Sequence, residues 1–390
     1  MIDVQRARLE TPGCAHVVHL NNAGSALPPS CVVDAVKGHL DLEARIGGYE
    51  AAESARAQHE DTYDAIAALI GCERDEIALV ENATRAWDMA FYSMRFSSGD
   101  RILTGRAEYA SNVIAFLQMA RRTGVEVEVV PDDEHGQIDV QALRQLADER
   151  VKLIALTHVP TNGGLVNPAE AVGQIARERN ILFLLDACQS VGQLDVDVRR
   201  IQCDLLSATG RKFLRAPRGT GFLYVRRSVI NTLEPVLLDL HAAEWVDEAR
   251  YVIRNDARRF ENWESAVAAR IGLGVAVRYG LQWGIRAIEQ RIKTLADELR
   301  ARLHSVPGIR LHDKGAHRCG IVTFTLEGRS PATVQAHLRE QRINVSVSEA
   351  ASTLFDMKAR ALPALIRASL HYYNTIEEIE RLIRCLPPPG

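Results

Sequence analysis

The stretch VKLIALTHVPTNGGLVNPAEAVGQIARERNILFLLDACQ, residues 151–189, holds two apolar runs with an amphipathic segment between them. The runs VKLIALTHV (151–159) and ILFLLDA (181–187) are short, rich in Leu, Ile and Val, and lack polar alternation. That pattern predicts strands buried on both faces of a mainly parallel sheet. PAEAVGQIARERN (168–180) predicts the crossover helix that joins them, right-handed as such connections are. The same alternation extends upstream. EIALVE (76–81), DRILTG (100–105) and VEVEVV (125–130) are expected strands. TRAWDMAFYSMRF (84–96), SNVIAFLQMARR (111–122) and IDVQALRQLADER (138–150) are expected helices. Helix–strand alternation implies a layered α/β domain.

The pattern changes after about Asp256. Two long helical stretches, residues 265–284 and 285–303, precede the strand-like pieces CGIVTFTL (319–326) and INVSVS (343–348), which flank the helix PATVQAHLREQ (331–341). LIRASLHYY (365–373) and the helix TIEEIERLIRCL (375–386) follow. A chain of 390 residues is too long for most single compact domains. The expected division is an N-terminal segment, 1–20, packing on the small domain; a large domain, 21–255; and a connecting helix with a small C-terminal α/β domain, 256–390.

Acidic and basic residues are mixed, with a formal net charge of -3, which leaves no electrostatic footprint for nucleic acid or an anionic membrane. No run of eighteen apolar residues occurs, so no membrane-spanning helix is expected. Seven cysteines, scattered and without a C-x-x-C pair, argue against a disulfide framework or a metal site. They fit a reducing cytoplasm, as does an N-terminus without an apolar signal region.

In an open parallel sheet, ligands bind beyond the carboxyl ends of the strands. Those ends here carry Asp186 and Gln189; Thr209, Gly210, Arg211 and Lys212; Asn82, Ala83 and Thr84 at a helix start; and His158, Thr161 and Asn162. Pyridoxal 5′-phosphate (PLP) needs such a set. Its aldehyde takes a lysine amine, here Lys212. Its pyridine nitrogen needs a buried carboxylate, which Asp186 supplies. Its phosphate suits the helix start at Ala83 and Thr84, with Arg211 beside it. Tyr109 follows DRILTG where a flat partner for the ring belongs. Gln189, with Thr161 or Asn162, is placed to donate to the 3′-oxygen.

The pieces DACQ (186–189), ATGRKFLRAPRGTGFLYV (208–225), RRFENWES (258–265) and LIRASLHYYNTIEEI (365–379) resemble, in order and spacing, the class V aminotransferase and cysteine desulfurase family of PLP fold type I. The resemblance runs from about Leu20 to the C-terminus. It implies Lys212 as the cofactor lysine, Asp186 on the pyridine nitrogen, Gln189 on the 3′-oxygen and Tyr109 as the stacking residue. It places Thr84, Thr209 and Arg211 on the phosphate, and Asn22 and Arg367 at the substrate, Arg367 on its α-carboxylate. It also implies a homodimer in which RRFENWES reaches the partner's phosphate pocket.

Two departures stand out. Most desulfurases stack a His on the ring, where this chain has Tyr109. Their nucleophilic Cys sits on a loop before the carboxylate-binding Arg, and that loop, INVSVSEAASTLFDMKAR (343–360), contains no Cys. HLNNAGSALPPS (19–30) and ARIGGYEAAESA (44–55) resemble the branch of ergothioneine-pathway C–S lyases and isopenicillin N epimerase-like proteins. The expected reaction is therefore β-elimination on a cysteine S-conjugate or sulfoxide, releasing pyruvate and ammonia. An epimerase or aminotransferase is the alternative. A cysteine desulfurase ranks lower, and a non-catalytic PLP-fold protein lowest.

Overall fold

The computed structural model describes residues 2–390. Seven strands form the large sheet, in the spatial order Ile77–Val80, Gly221–Val225, Leu205–Thr209, Leu182–Asp186, Val151–Thr157, Arg101–Thr104, Glu126–Val129. All run parallel except Gly221–Val225, which is antiparallel to both neighbours. Alternate residues of the apolar runs feed two separate cores. Ile154, Phe183, Leu185 and Leu206 point into one; Leu153, Leu184, Leu205 and Leu223 point into the other. Each such side chain contributes about 2 kcal/mol by leaving water, which is why these strands show no polar alternation.

The antiparallel strand follows from chain length. Only Gly210–Thr220 separates it from Leu205–Thr209, too little for a parallel crossover with its own helix. A close backbone approach also fixes its first residue. A Cβ on Gly221 would meet the Ala208 carbonyl at 2.6 Å and the Asn82 backbone at 2.9 Å. Glycine there lets the start of the helix Ala83–Tyr92 come down beside Thr209.

A second, antiparallel sheet has the order Ile309–Leu311, Ile321–Leu326, Leu365–Ser369, Ser346–Ser348. Leu295, Leu299, Leu303, Val334, Leu338, Ile379 and Leu382 cover it from three helices. Arg367 lies on an inner strand, opposite Thr323 on one side and Ser346 on the other. The stretch INVSVS divides at Val345. Ile343–Asn344 pairs in parallel with Val18–His19, and only Ser346–Ser348 joins the small sheet. Near the N-terminus, Arg8 donates to Glu378 at 2.8 Å and to the Tyr373 carbonyl.

The helix Val267–Trp283 packs on the helices Ser30–Ile46 and Arg56–Ile70. Its Leu273, Ala276 and Val277 sit in the large core. The change of sequence pattern after Asp256 thus precedes the change of core, which comes with the helix Ile285–His304.

Candidate active site

Sheet register gathers the site. Thr157 is paired with Asp186, Asp186 with Ser207, and Thr209 with Gly221. These strand ends open on a cavity of about 410 Å³. Ala83, Thr84, Tyr109, Thr161, Asp186, Gln189, Thr209, Arg211 and Lys212 all line it. So do Cys188 and, not singled out by the sequence, Asn112 and Thr157.

Asp186 is buried at the floor. Its Oδ1 accepts the Cys188 backbone N–H at 2.9 Å and its Oδ2 accepts Asn112 Nδ2 at 3.1 Å. Burial pushes this carboxyl above its ordinary value. The Lys212 amine stands 3.2 Å from Cys188 Sγ. Burial pushes it below the usual lysine range, and nearby Arg211 acts in the same direction. The shift favours the neutral amine, the form able to act as nucleophile or base. Cys188 itself is pushed up by burial and so remains a thiol.

At one end of the cavity Asn82 caps the helix Ala83–Tyr92, accepting the Arg85 N–H at 2.9 Å. The first turn of that helix, with its N–H groups and dipole, lines the same cavity as Thr209 and Arg211, a set that suits a phosphate. Tyr109, with 37% of its surface exposed, stands at the mouth. Gln189 Nε2 reaches the Ala23 carbonyl at 3.2 Å and Thr161 Oγ1 at 3.3 Å, while its buried Oε1 has no partner.

Arg367 stands behind Thr161. It donates to Thr161 Oγ1 at 2.6 Å and to the Thr161 carbonyl at 3.2 Å. It is buried, its Nε has no acceptor, and no carboxylate of the described residues pairs with it. Burial holds its guanidinium at about 10, with Arg211 contributing, so it stays cationic at neutral pH. Asn162 does not line the cavity; its amide donates to the Glu349 carbonyl at 3.0 Å, tying down the loop after Ser348.

Asn22 is not brought to the cavity. It is fully buried, donates to the Ser369 carbonyl at 2.7 Å and accepts the Tyr373 hydroxyl. Its amide ties the N-terminal segment to the small sheet; neighbouring Ala23 comes nearer, through Gln189. Cys319 also lies elsewhere, in an apolar cluster with Ile292 and Ile321, its thiol pushed up to about 11 by burial.

The residues fit PLP. Lys212, Asp186, Tyr109, Thr209 and Arg211 line one cavity together with the first turn of the helix Ala83–Tyr92. The Gln189 amide N–H groups are directed at Ala23 and Thr161, and its unpartnered Oε1 can only accept. The family model for class V aminotransferases matches residues 18–382. The chain belongs to that family. Among class V relatives, a probable cysteine desulfurase of Methanothermobacter thermautotrophicus is 30% identical, spanning 96% of this chain and 95% of its own length. A probable cysteine desulfurase of Xylella fastidiosa is 31% identical, spanning 98% of this chain and 95% of its own. The apo structure of a cysteine desulfurase from Thermococcus onnurineus superposes with a TM-score of 0.92 at 26% identity, covering 98% of this chain and 97% of that one.

These similarities overturn the expected β-eliminating, pyruvate-releasing lyase. Relatives matched over nearly their whole length carry the name cysteine desulfurase. The expectation rested on a loop without a cysteine, on Tyr109 in place of a histidine, and on the likeness of residues 19–30 and 44–55 to C–S lyases. The missing cysteine bears on where sulfur goes and not on which bond is broken. The loop does lack a cysteine, and Cys188 is the one cysteine of the described residues that lines the cavity.

Proposed function

We propose that this class V protein is a PLP-dependent enzyme that removes the sulfur of L-cysteine, or of a close cysteine analogue, and leaves alanine. The observation that carries this is Arg367, a buried cation beside the cavity with no carboxylate of its own. Such a group is costly unless paired, and an amino acid's α-carboxylate would pair it. The desulfurase names of the relatives support the sulfur chemistry.

The chemistry the cofactor supplies when bound is an electron sink for the α-carbon of an amino acid. Asp186 holds the proton on the ring nitrogen. Arg367 and Thr161 orient the carboxylate. Tyr109 covers the ring and keeps water from its face. Lys212, disposed to be neutral by burial, takes the α-proton and returns one. The carbon–sulfur bond breaks with its electron pair left on the β-carbon, which gains a proton, and a sulfur–sulfur bond forms to an acceptor thiol. L-Cysteine and RSH give alanine and RSSH, with no oxidant needed. The acceptor is a thiol from solution, because the loop that would carry one has none and burial keeps Cys188 protonated.

With dithiothreitol present, holoenzyme is expected to release sulfide from L-cysteine. No sulfide from L-cysteine sinks the reading, and a persulfide found on Cys188 by mass spectrometry sinks the choice of acceptor.

The working unit proposed is a homodimer. Trp245, Tyr251, Leu240 and Trp263 are more than half exposed around the hairpin 243–253, and Asp239 ties Trp263 to it. Apolar surface of this kind marks an interface. Glu261, in the segment after the hairpin, faces inward, accepting from Tyr63, the Leu79 N–H and Arg270. Sedimentation is expected to give twice the chain mass at assay concentration; a fully active monomer would contradict it.

A further inference from the structure

Asp186 is held by two donors of different kinds. The Cys188 N–H on Oδ1 belongs to the same turn, whereas Asn112 Nδ2 on Oδ2 comes from the helix Ala110–Thr123. The same Nδ2 donates to Glu108 Oε1 at 2.7 Å. Both amide hydrogens of Asn112 are thus spent on two carboxylates, 108 and 186.

Glu108 is itself immobile. Only 1% of its surface is exposed. It accepts the Thr157 N–H at 2.9 Å, Thr104 Oγ1 at 3.0 Å, the Tyr109 N–H at 3.1 Å and the Thr157 hydroxyl. Thr104 and Thr157 end two adjacent parallel strands, so the sheet fixes Glu108, Glu108 fixes Asn112, and Asn112 fixes Asp186. Helix capping does not account for this carboxylate. Tyr109 is the cap residue, and Glu108 accepts its N–H and none from the first turn. A glutamine oxygen in the Oε2 place would still serve Thr104 and the Thr157 N–H, but it would leave an NH2 where Oε1 accepts Asn112, the Thr157 hydroxyl and the Tyr109 N–H. Burying a second carboxylate one amide away from Asp186 is costly, and proximity to Asp186 adds to the burial that pushes Glu108 up to about 6.

We infer that Asn112 and Glu108 are a positioning pair that aims the Asp186 carboxylate at the ring nitrogen of PLP and keeps that nitrogen protonated. This rests on the cofactor placement proposed above and not on the identity of the substrate. An asparagine amide has two ends of the same shape. With an anion at 108 only the NH2 end can face the carboxylates. A glutamine at 108 would turn its own NH2 toward Asn112, let that amide flip, and set an oxygen against Asp186. The carboxylate would then rotate away or take up the proton itself.

The test uses the resting holoenzyme, reconstituted with PLP labelled with ¹⁵N in the ring and read by ¹⁵N NMR without substrate. Wild type is expected to show a protonated ring nitrogen, and Asp186→Asn gives the neutral end of the scale. Asn112→Ala and the isosteric Glu108→Gln are expected to shift toward the neutral signal. Each should also bind PLP roughly ten- to a hundredfold more weakly, the worth of a hydrogen bond to a charged group. Wild-type nitrogen signal and PLP affinity in both variants overturn the inference. A shift in Asn112→Ala alone overturns the part given to Glu108. Where Asn112→Ala does not fold by circular dichroism, Glu108→Gln decides alone. The signal is read before any sulfur chemistry, so failure to release sulfide from L-cysteine leaves this result standing, and the converse holds as well.

Discussion

Lys212→Ala is expected to lose the absorbance of lysine-bound PLP and to lower turnover of L-cysteine by about four orders of magnitude or more. The general-base share alone is worth up to about 10⁴, and the covalent hold on the cofactor is lost with it. The cause is position. Lys212 follows the strand end Thr209 through Gly210 and Arg211, in the same cavity as Asp186, and burial disposes its amine to be neutral. The substitution should not unfold the protein. A buried lysine is a burden to the fold, so the melting temperature of the apo variant should equal or exceed that of wild type. Absorbance before and after borohydride, with thermal melting alongside, measures both. A variant that keeps a reducible yellow band and wild-type turnover contradicts the assignment.

Asp186→Asn is expected to bind PLP and lose roughly 10²- to 10³-fold in rate. An amide cannot pair with a ring cation, and a carboxylate beside a buried cation is worth a few kcal/mol, at about 1.4 kcal/mol per tenfold. The apo protein adds a second readout whose sign follows from linkage. Burial raises the Asp186 pKa above its unfolded value. The folded state is therefore favoured at pH below the unfolded value, and that advantage is lost as pH rises through the raised one. The asparagine variant should melt higher than wild type at neutral and alkaline pH, and the difference should shrink toward acid. Steady-state kinetics near wild type, or a melting difference that grows toward acid, would refute the placement.

Much of this was legible in the residues. The runs 151–159 and 181–187 identify themselves as central strands because burial on both faces removes polar alternation. Once strands are known, their carboxyl ends collect Asp186, Thr209, Arg211 and Lys212 without any structure. Other features depend on the third dimension. Glu108 and Asn112 carry a weak signal, an i,i+4 polar pair across a helix start, which ordinary helices show as often. Their importance appears only when Thr157 and Asp186 arrive from neighbouring strands. Asn22 sits in a motif beside the cavity, yet its amide turns to Ser369 and Tyr373 because residues some 350 positions away need a partner there. The helix Val267–Trp283 reads as a connector, and only the structure shows that its apolar face meets the helices Ser30–Ile46 and Arg56–Ile70. The expected reaction failed for a different reason. Breaking a carbon–sulfur bond needs the lysine and the ring; the missing loop cysteine speaks only to the acceptor.

The most direct test follows the carbon. Holoenzyme given [3-¹³C]-L-cysteine and dithiothreitol can be watched by NMR while sulfide is measured in the same sample. Labelled alanine appearing in step with sulfide, one for one, is the predicted result. Labelled pyruvate with ammonia in its place, or no conversion by an enzyme that carries PLP on Lys212, would contradict the account.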